Sequence, residues 1–117
     1  VILDPGLVQK AFWEIIQWDK EKIDLNIPQK VREALNEIDN DQRGYLESHY
    51  GGVEYHNRPN KKLGETKIPD NNINIYTEYD VNVYKYGKNR GGERIVTGLD
   101  GSAWYTPDHY KTWYRIR

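Results

Sequence analysis

The alternation of residue types between positions 73 and 83 constrains the fold more than any other feature of this sequence. Odd positions are almost all apolar or aromatic, and even positions are mainly polar: Ile73, Ile75, Thr77, Tyr79, Val81 and Val83 against Asn74, Tyr76, Glu78, Asp80 and Asn82. A period of two predicts a β-strand with one buried and one open face. Gly- and Asp-rich turns separate it from further predicted strands at about 93–97, 103–106 and 110–116.

The first half of the chain follows the helical period instead. One predicted helix runs from Leu7 to about Asp19, and its apolar stripe comprises Val8, Ala11, Phe12, Ile15 and Ile16. A second predicted helix begins near Pro28, and its apolar stripe comprises Val31, Ala34, Leu35 and Ile38. Helices followed by strands predict an α+β fold, with two or three N-terminal helices packed on a C-terminal antiparallel sheet. We expect a single domain over residues 1–117, helical over 1–50 and with its sheet at 51–117.

Composition excludes several classes of protein. The chain has no Cys, which rules out disulfides and thiolate metal sites, and it has no run of about 18 apolar residues that could span a membrane. Residues 1–50 carry 6 Lys/Arg against 10 Asp/Glu, whereas residues 51–117 carry 11 against 8. A basic second half is compatible with a phosphate-contacting surface. Ten Tyr and four Trp against one Phe indicate a half-exposed sheet with a functional face.

Glu78 lies in the middle of the clearest strand, on its predicted open face. Such a carboxylate is either an ordinary solvated side chain or a general base held on a rigid element. Downstream, Arg90 and Arg94 flank a Gly-Gly pair at a turn into a strand, which suits either a surface hairpin or a clamp for phosphate oxygens. His109 follows a turn near the C-terminus, and an imidazole is well suited to donate a proton to a leaving alkoxide.

Together, a strand carboxylate, two arginines and a histidine meet the requirements of phosphodiester transesterification without a metal ion. The motifs that contain them also resemble the microbial ribonucleases of the barnase group. Three segments carry the resemblance: residues 76–81 (YTEYDV), the Arg90–Arg94 spacing, and residues 105–113 (YTPDHYKTW). Residues 51–58 (GGVEYHNR), followed by Leu63-Gly64, resemble the base-recognition loop of that family.

The resemblance implies a role for each matching residue. Glu78 would be the general base and His109 the general acid, while Arg90 and Arg94 would bind the phosphate. The implied substrate-binding residues are Tyr110 beside the phosphate, Lys30 at the start of the second helix, and His56, Asn57 and Arg58 in the recognition loop. Asp80 matches a structural aspartate that pairs with arginines and would fix Arg94. The reaction would yield a 2′,3′-cyclic phosphate and would need no cofactor and no metal.

The recognition loop departs from the family pattern at one position. The family has Asn-Arg-Glu there, and its Glu binds the Watson–Crick edge of guanine, whereas Pro59 follows Asn57-Arg58 in this chain. Proline offers neither a carboxylate nor a backbone donor. We expect a relaxed or altered base preference, with His56 stacking on the base. Glu54 or Glu65 would be the carboxylates able to fold into the loop.

A divergent recognition loop favours a toxin-type ribonuclease over a digestive enzyme. The absence of Met from the chain favours a processed mature protein or a C-terminal toxin domain of a larger carrier. We therefore expect the protein to be secreted or delivered, and to act on single-stranded RNA in a target cell. Its producer would need an acidic inhibitor or immunity protein that covers the basic cleft. We expect a monomer that makes no membrane contact.

Two other functions are compatible with parts of the sequence. A metal-dependent nuclease is one, because residues 39–44 (DNDQRG) imitate the start of a calcium loop; however, Arg43 stands at a ligand position and Tyr50 where the loop needs Glu. His49 and His56 are not spaced as a recognised ligand pair. The other is a non-catalytic RNA- or protein-binding module, for which the many Trp and Tyr residues would provide a platform.

Overall fold

The computed structural model describes residues 26–40 and 49–117. Within these residues, one helix packs on a five-stranded antiparallel sheet, which confirms the predicted α+β class. The first predicted helix, residues 7–19, lies outside the described residues, and the number of N-terminal helices therefore stays a prediction.

Helix α1 (Gln29–Asn40) is the second predicted helix, and it begins directly after Pro28. Proline suits this place because its fixed φ is already helical and its missing N–H is not needed there. The apolar stripe is used as predicted, since Val31, Ala34 and Ile38 are buried. No helix in the described part of the chain is long and apolar enough to cross a membrane.

The sheet is a meander in which each strand pairs with the next one along the chain. Its strands are β1 (Gly51–Tyr55), β2 (Tyr76–Asp80), β3 (Arg94–Gly98), β4 (Ala103–Thr106) and β5 (Tyr114–Arg115), and they lie side by side in that order. A short 3₁₀ helix, Lys61–Leu63, interrupts the long loop between β1 and β2. All the pairings are antiparallel.

Both faces of the sheet carry apolar clusters, whereas the alternation predicted only one buried face. The larger cluster lies between the sheet and α1: Val31, Ala34, Ile38, Tyr79, Val81, Ile95, Ala103, Tyr105 and Ile116. A smaller cluster of Ile68, Tyr76, Val96 and Trp104 covers part of the other face. That second face is therefore apolar around Tyr76 and becomes polar towards Glu78 and Asp80.

The strands are shorter than the alternation predicted, and Ile73, Ile75 and Val83 are exposed. The late start of β2 has a local cause. Asp70 Oδ1 accepts a hydrogen bond from the N–H of Asn72, and Asn74 Oδ1 accepts one from the N–H of Ile75, both at 3.0 Å. These side chains compete with a strand partner for the backbone donors. The strand predicted at 110–116 is reduced to β5, because the chain bends over residues 107–112.

Candidate active site

Strand register brings charged side chains together on the second face of the sheet. Asp80 of β2 lies opposite Arg94 of β3, which in turn lies opposite Thr106 of β4. Glu78 is two residues before Asp80 and therefore projects from the same face. Asp80, Arg94 and Thr106 are buried, whereas Glu78 is half-buried. Glu78 is thus the carboxylate of this face that solvent can still reach.

Asp80 contacts both arginines of the predicted phosphate clamp. Arg90 donates from Nε to Oδ2 at 2.6 Å and from Nη2 to Oδ1 at 2.7 Å, and these bonds raise the pKa of its guanidinium. Arg94 Nε lies 3.0 Å from Asp80 Oδ1, as an ion pair without hydrogen-bond alignment. Arg94 Nη1 donates to the carbonyls of Gly91 and Glu93 at 2.9 and 2.8 Å. One buried carboxylate therefore holds two cations side by side.

Tyr110 connects the remaining predicted groups. Its hydroxyl donates to Glu78 Oε2 at 2.5 Å, and its ring meets the His109 ring edge-on, with the centroids 4.6 Å apart. Burial and the bond to Glu78 raise the pKa of Tyr110, while the charge of Arg94 acts in the opposite sense. The phenol also lies within electrostatic reach of Arg90. A carboxylate, an imidazole and two guanidinium groups thus surround one side chain.

The turn that carries His109 is organised by Asp108. Asp108 Oδ1 accepts hydrogen bonds from Thr106 Oγ1 at 3.0 Å and from the N–H of Thr112 at 2.8 Å, and Oδ2 accepts one from Thr112 Oγ1 at 2.6 Å. Burial opposes ionisation of Asp108, but these bonds outweigh it and lower its pKa. His109 and Tyr110 adopt positive φ angles of 54° and 69°, a costly conformation for residues other than glycine. The network around Asp108 stabilises that conformation.

Gly92 lets the arginine turn approach the histidine turn. The backbone N–H of His109 donates to the carbonyl of Gly92 at 2.8 Å. A Cβ at position 92 would lie 3.2 Å from the backbone nitrogen of His109 and 3.4 Å from the carbonyl oxygen of Pro107. The second glycine of the Gly-Gly pair therefore allows its turn to pack closely on the backbone of residues 107–109.

An aromatic stack that the sequence did not predict lies beside Tyr110. Tyr55 stacks on Tyr110 with ring centroids 5.1 Å apart and 12° between the planes, and Trp113 tilts against both rings at 6.0 and 5.8 Å. Burial, with the charges of Glu65 and Glu78, raises the pKa of Tyr55 to about 12. The high Tyr and Trp content was the only sequence signal, since the pairing of β1 with β2 is what brings Tyr55 here.

The predicted recognition loop lies at the end of β1. Asn57 has a positive φ of 52°, and its Oδ1 accepts a hydrogen bond from the N–H of Ile68 at 2.9 Å, so its side chain supports the loop. His56 and Arg58 are exposed, and His56 Nδ1 lies 3.8 Å from Glu54. His56 and Asn57 border a groove of about 300 Å³ whose other wall is formed by residues 72–76. Of these loop side chains, His56 and Arg58 are free to meet a ligand.

Lys30 lies on α1, which packs against the sheet face opposite Glu78. Its Nζ donates to Glu93 Oε1 at 2.6 Å, and Glu93 Oε2 accepts a hydrogen bond from Tyr105 at 2.7 Å. Burial opposes ionisation of Glu93, but these bonds lower its pKa. These contacts tie α1 to the sheet, and they do not bring Lys30 to Tyr110.

The residues considered for a metal site are separated in the structure. His49 lies against the backbone of β2, with Nδ1 3.1 Å from the carbonyl oxygen of Asp80, whereas His56 is in the recognition loop. Residues 41–48, the centre of the calcium-like stretch, lie outside the described residues. Over residues 26–40 and 49–117, no three His, Asp or Glu side chains form a group that could hold a metal ion.

The match to a family model agrees with the chemistry of these side chains. A family model described as ribonuclease matches residues 19–117. No curated protein sequence matches the chain. Among solved structures, the chain is similar to ribonuclease Sa2 with guanosine-2′-cyclophosphate, at 26% identity over 79% of this chain and 88% of that chain, with a TM-score of 0.49. Because the family model spans most of the sequence, the chain belongs to the microbial, barnase-like ribonuclease family, and the protein is an endoribonuclease.

Proposed function

We propose that this endoribonuclease cleaves single-stranded RNA without a metal ion, by a transphosphorylation that leaves a 2′,3′-cyclic phosphate and a 5′-hydroxyl end. The observation that carries the proposal is the position of Tyr110. It donates to Glu78, packs against His109 and lies within electrostatic reach of Arg90 and Arg94. A phosphate bound at this tyrosine would have a base, an acid and two cations around it.

In the proposed reaction, Glu78 accepts the proton of the ribose 2′-hydroxyl while that oxygen attacks phosphorus. The bond between phosphorus and the 5′-oxygen breaks, and His109 donates the proton with which this oxygen leaves as a hydroxyl. Negative charge on the phosphorane-like transition state is stabilised by Arg90 and Arg94. Because Asp80 holds both guanidinium groups in place, little reorganisation is needed during the reaction.

The end groups of the products test this mechanism. A defined single-stranded RNA cleaved in the presence of EDTA should give cyclic phosphate and 5′-hydroxyl ends. Glu78→Gln and His109→Ala should each lower kcat by about 10²- to 10⁴-fold with RNA binding retained. Glu33→Gln is the matched control, because Glu33 is an exposed carboxylate on α1, which packs on the other face of the sheet, and it should leave kcat unchanged. Products with 5′-phosphate ends, or cleavage that EDTA abolishes, would overturn the mechanism.

We also propose that the base preference is relaxed relative to guanine-specific relatives. Pro59 supplies no carboxylate for the base edge, while His56 is 62% exposed beside the groove and can stack on a base. Homopolymers of the four nucleotides should then be cleaved with comparable kcat/KM. His56→Ala should raise KM and leave kcat unchanged. Cleavage confined to guanine would contradict this proposal.

A delivered toxin is the biological role we propose, with a monomeric enzyme and an acidic inhibitor in the producing cell. The excess of basic residues over 51–117 would attract both RNA and an acidic protein. Production of the chain inside a bacterium should arrest growth, whereas the Glu78→Gln variant should not. A true inhibitor should restore growth and should bind with an association rate that falls as salt is added.

A further inference from the structure

Glu65 is the one carboxylate that contacts His109 within the described part of the chain. Its Oε2 lies 3.2 Å from His109 Nδ1, and its side chain is 10% exposed, against 49% for the histidine. Its charge also contributes to raising the pKa of Tyr55, which stacks on Tyr110. Glu65 therefore lies at the site although it belongs to none of the family motifs.

Glu65 is held in place from its own loop. Its Oε1 accepts a hydrogen bond from the backbone N–H of Asn60 at 3.0 Å, and its own N–H donates to the carbonyl of Asn60 at 3.2 Å. Between these two residues, the 3₁₀ helix Lys61–Leu63 ends at Gly64, whose φ of 78° reverses the chain. The side chain consequently uses one oxygen for its loop and points the other at His109.

The neighbour of Glu65 ties this loop to the histidine turn. Thr66 donates its N–H to the carbonyl of Tyr110 at 2.8 Å and its Oγ1–H to the carbonyl of Lys111 at 2.9 Å. Trp113 Nε1 donates to the carbonyl of Thr66 at 2.9 Å. Three bonds thus fix the residue after Glu65 against the residues that follow His109, so the carboxylate and the imidazole keep their relative position.

We propose that Glu65 is a positioning residue that keeps a proton on His109 Nδ1 and leaves Nε2 to protonate the departing 5′-oxygen. A carboxylate only accepts hydrogen bonds, so the nitrogen facing it must carry a proton. The imidazolium donates its Nε2 proton to the 5′-oxygen and becomes neutral, while Nδ1–H stays bonded to Glu65. Such an outer carboxylate orients the ring and fixes its tautomer. This inference rests on the proposed role of His109 as the acid.

Glu65→Gln tests the inference because it changes one interaction and keeps the other. Its amide oxygen can still accept from Asn60, but its NH₂ group then faces Nδ1 and opposes a proton there. With RNA as substrate, kcat should fall about 10- to 100-fold, with KM nearly unchanged. With a nucleoside 3′-(4-nitrophenyl phosphate), whose leaving group needs no protonation, kcat should be close to the wild-type value. In nitrogen NMR spectra, the proton of neutral His109 should move from Nδ1 to Nε2.

His109→Ala, measured on both substrates, separates this inference from the proposed function. If His109→Ala impairs both substrates equally, His109 is not the acid and the proposed function itself fails. If His109→Ala impairs RNA cleavage alone while Glu65→Gln behaves as wild type, only the role of Glu65 is overturned. Equal losses on both substrates in Glu65→Gln, or an altered base preference, would also overturn it. Glu33→Gln is the control for removing a carboxylate charge away from the site, since Glu33 is exposed on α1, and it should behave as wild type on both substrates.

Discussion

Asp80 and Arg94 form a buried ion pair, in which Arg94 Nε lies 3.0 Å from Asp80 Oδ1. The Arg94 side chain is 5% exposed and the Asp80 side chain 2% exposed. The pair joins β2 to β3, since the two residues lie opposite each other in the sheet. A buried charge that loses its partner is costly, because no water replaces the lost interaction. The contact that places a cation at the site therefore also supports the sheet.

Replacing Asp80 with Asn should destabilise the fold as well as the site. We expect the free energy of unfolding to fall by about 3–5 kcal/mol, since Arg94 would remain buried without its counter-charge. Asp39→Asn is the matched control, because Asp39 pairs with Arg117 but is 42% exposed, and such surface pairs contribute about 0–1 kcal/mol. Urea unfolding of the two variants and the wild type measures the difference. Equal losses in both variants would contradict this expectation.

Tyr110→Phe should impair catalysis. It removes the hydroxyl that donates to Glu78 and keeps the ring that stacks on Tyr55. A hydrogen bond to a charged group contributes about 1.5–3 kcal/mol, so kcat/KM should fall about 10- to 100-fold. Tyr114→Phe is the control, since Tyr114 is 38% exposed and touches Tyr105 through its ring. Wild-type kcat/KM in Tyr110→Phe would show that the hydroxyl serves packing alone.

Gly92→Ala should displace His109. The new Cβ would lie 3.2 Å from the His109 backbone nitrogen, so the histidine turn must shift. A small displacement of a catalytic group lowers the reaction rate strongly. We expect kcat to fall with little change in KM. Gly87→Ala is the comparison: its φ of 74° makes alanine unfavourable, but no atom lies within 4 Å of its Cβ. That variant should lose about 1 kcal/mol of stability and keep full kcat. The reverse pattern would refute the close-packing role of Gly92.

The fold class was predictable because it depends on periodicity, which is a local property of the sequence. The spacing of Val31, Ala34 and Ile38 predicted α1, and alternation predicted the centre of β2. The ends of β2 were not predictable in this way, because side chains such as Asn74 take backbone donors that alternation alone assigns to a partner strand. The strand β1 was also missed, since its exposed residues and paired glycines leave no alternating pattern.

The site was predictable to the extent that its residues occupy recognisable motifs. Parity placed Glu78 and Asp80 on one face, and the structure has them there. Contacts between distant loops were beyond the sequence: nothing in it places Glu65 beside His109, 44 residues away. The same limit applies to Lys30, whose partner Glu93 is 63 residues away and depends on how α1 packs.

Alkaline pH should destabilise the protein through its tyrosines. Burial and two nearby carboxylates raise the pKa of Tyr55 from 10.0 to about 12, and burial also raises the pKa of Tyr76, Tyr105 and Tyr110. Above pH 10.0 the unfolded chain releases phenolic protons that the folded chain retains, so the free energy of unfolding falls as the pH rises. For Tyr55 the stabilising contribution is fully present below pH 10.0 and is lost as the pH rises through about 12.

Urea unfolding at a series of pH values from about 9 to 12 would measure this slope, with tyrosinate absorbance reporting ionisation. Tyr55→Phe should make the slope shallower, because phenylalanine has no proton to release and the other tyrosines keep theirs. Tyr86→Phe should leave the slope unchanged, since Tyr86 is 94% exposed. If Tyr55→Phe retained the wild-type slope, the destabilisation would have to come from the other tyrosines, and the raised pKa of Tyr55 would be wrong.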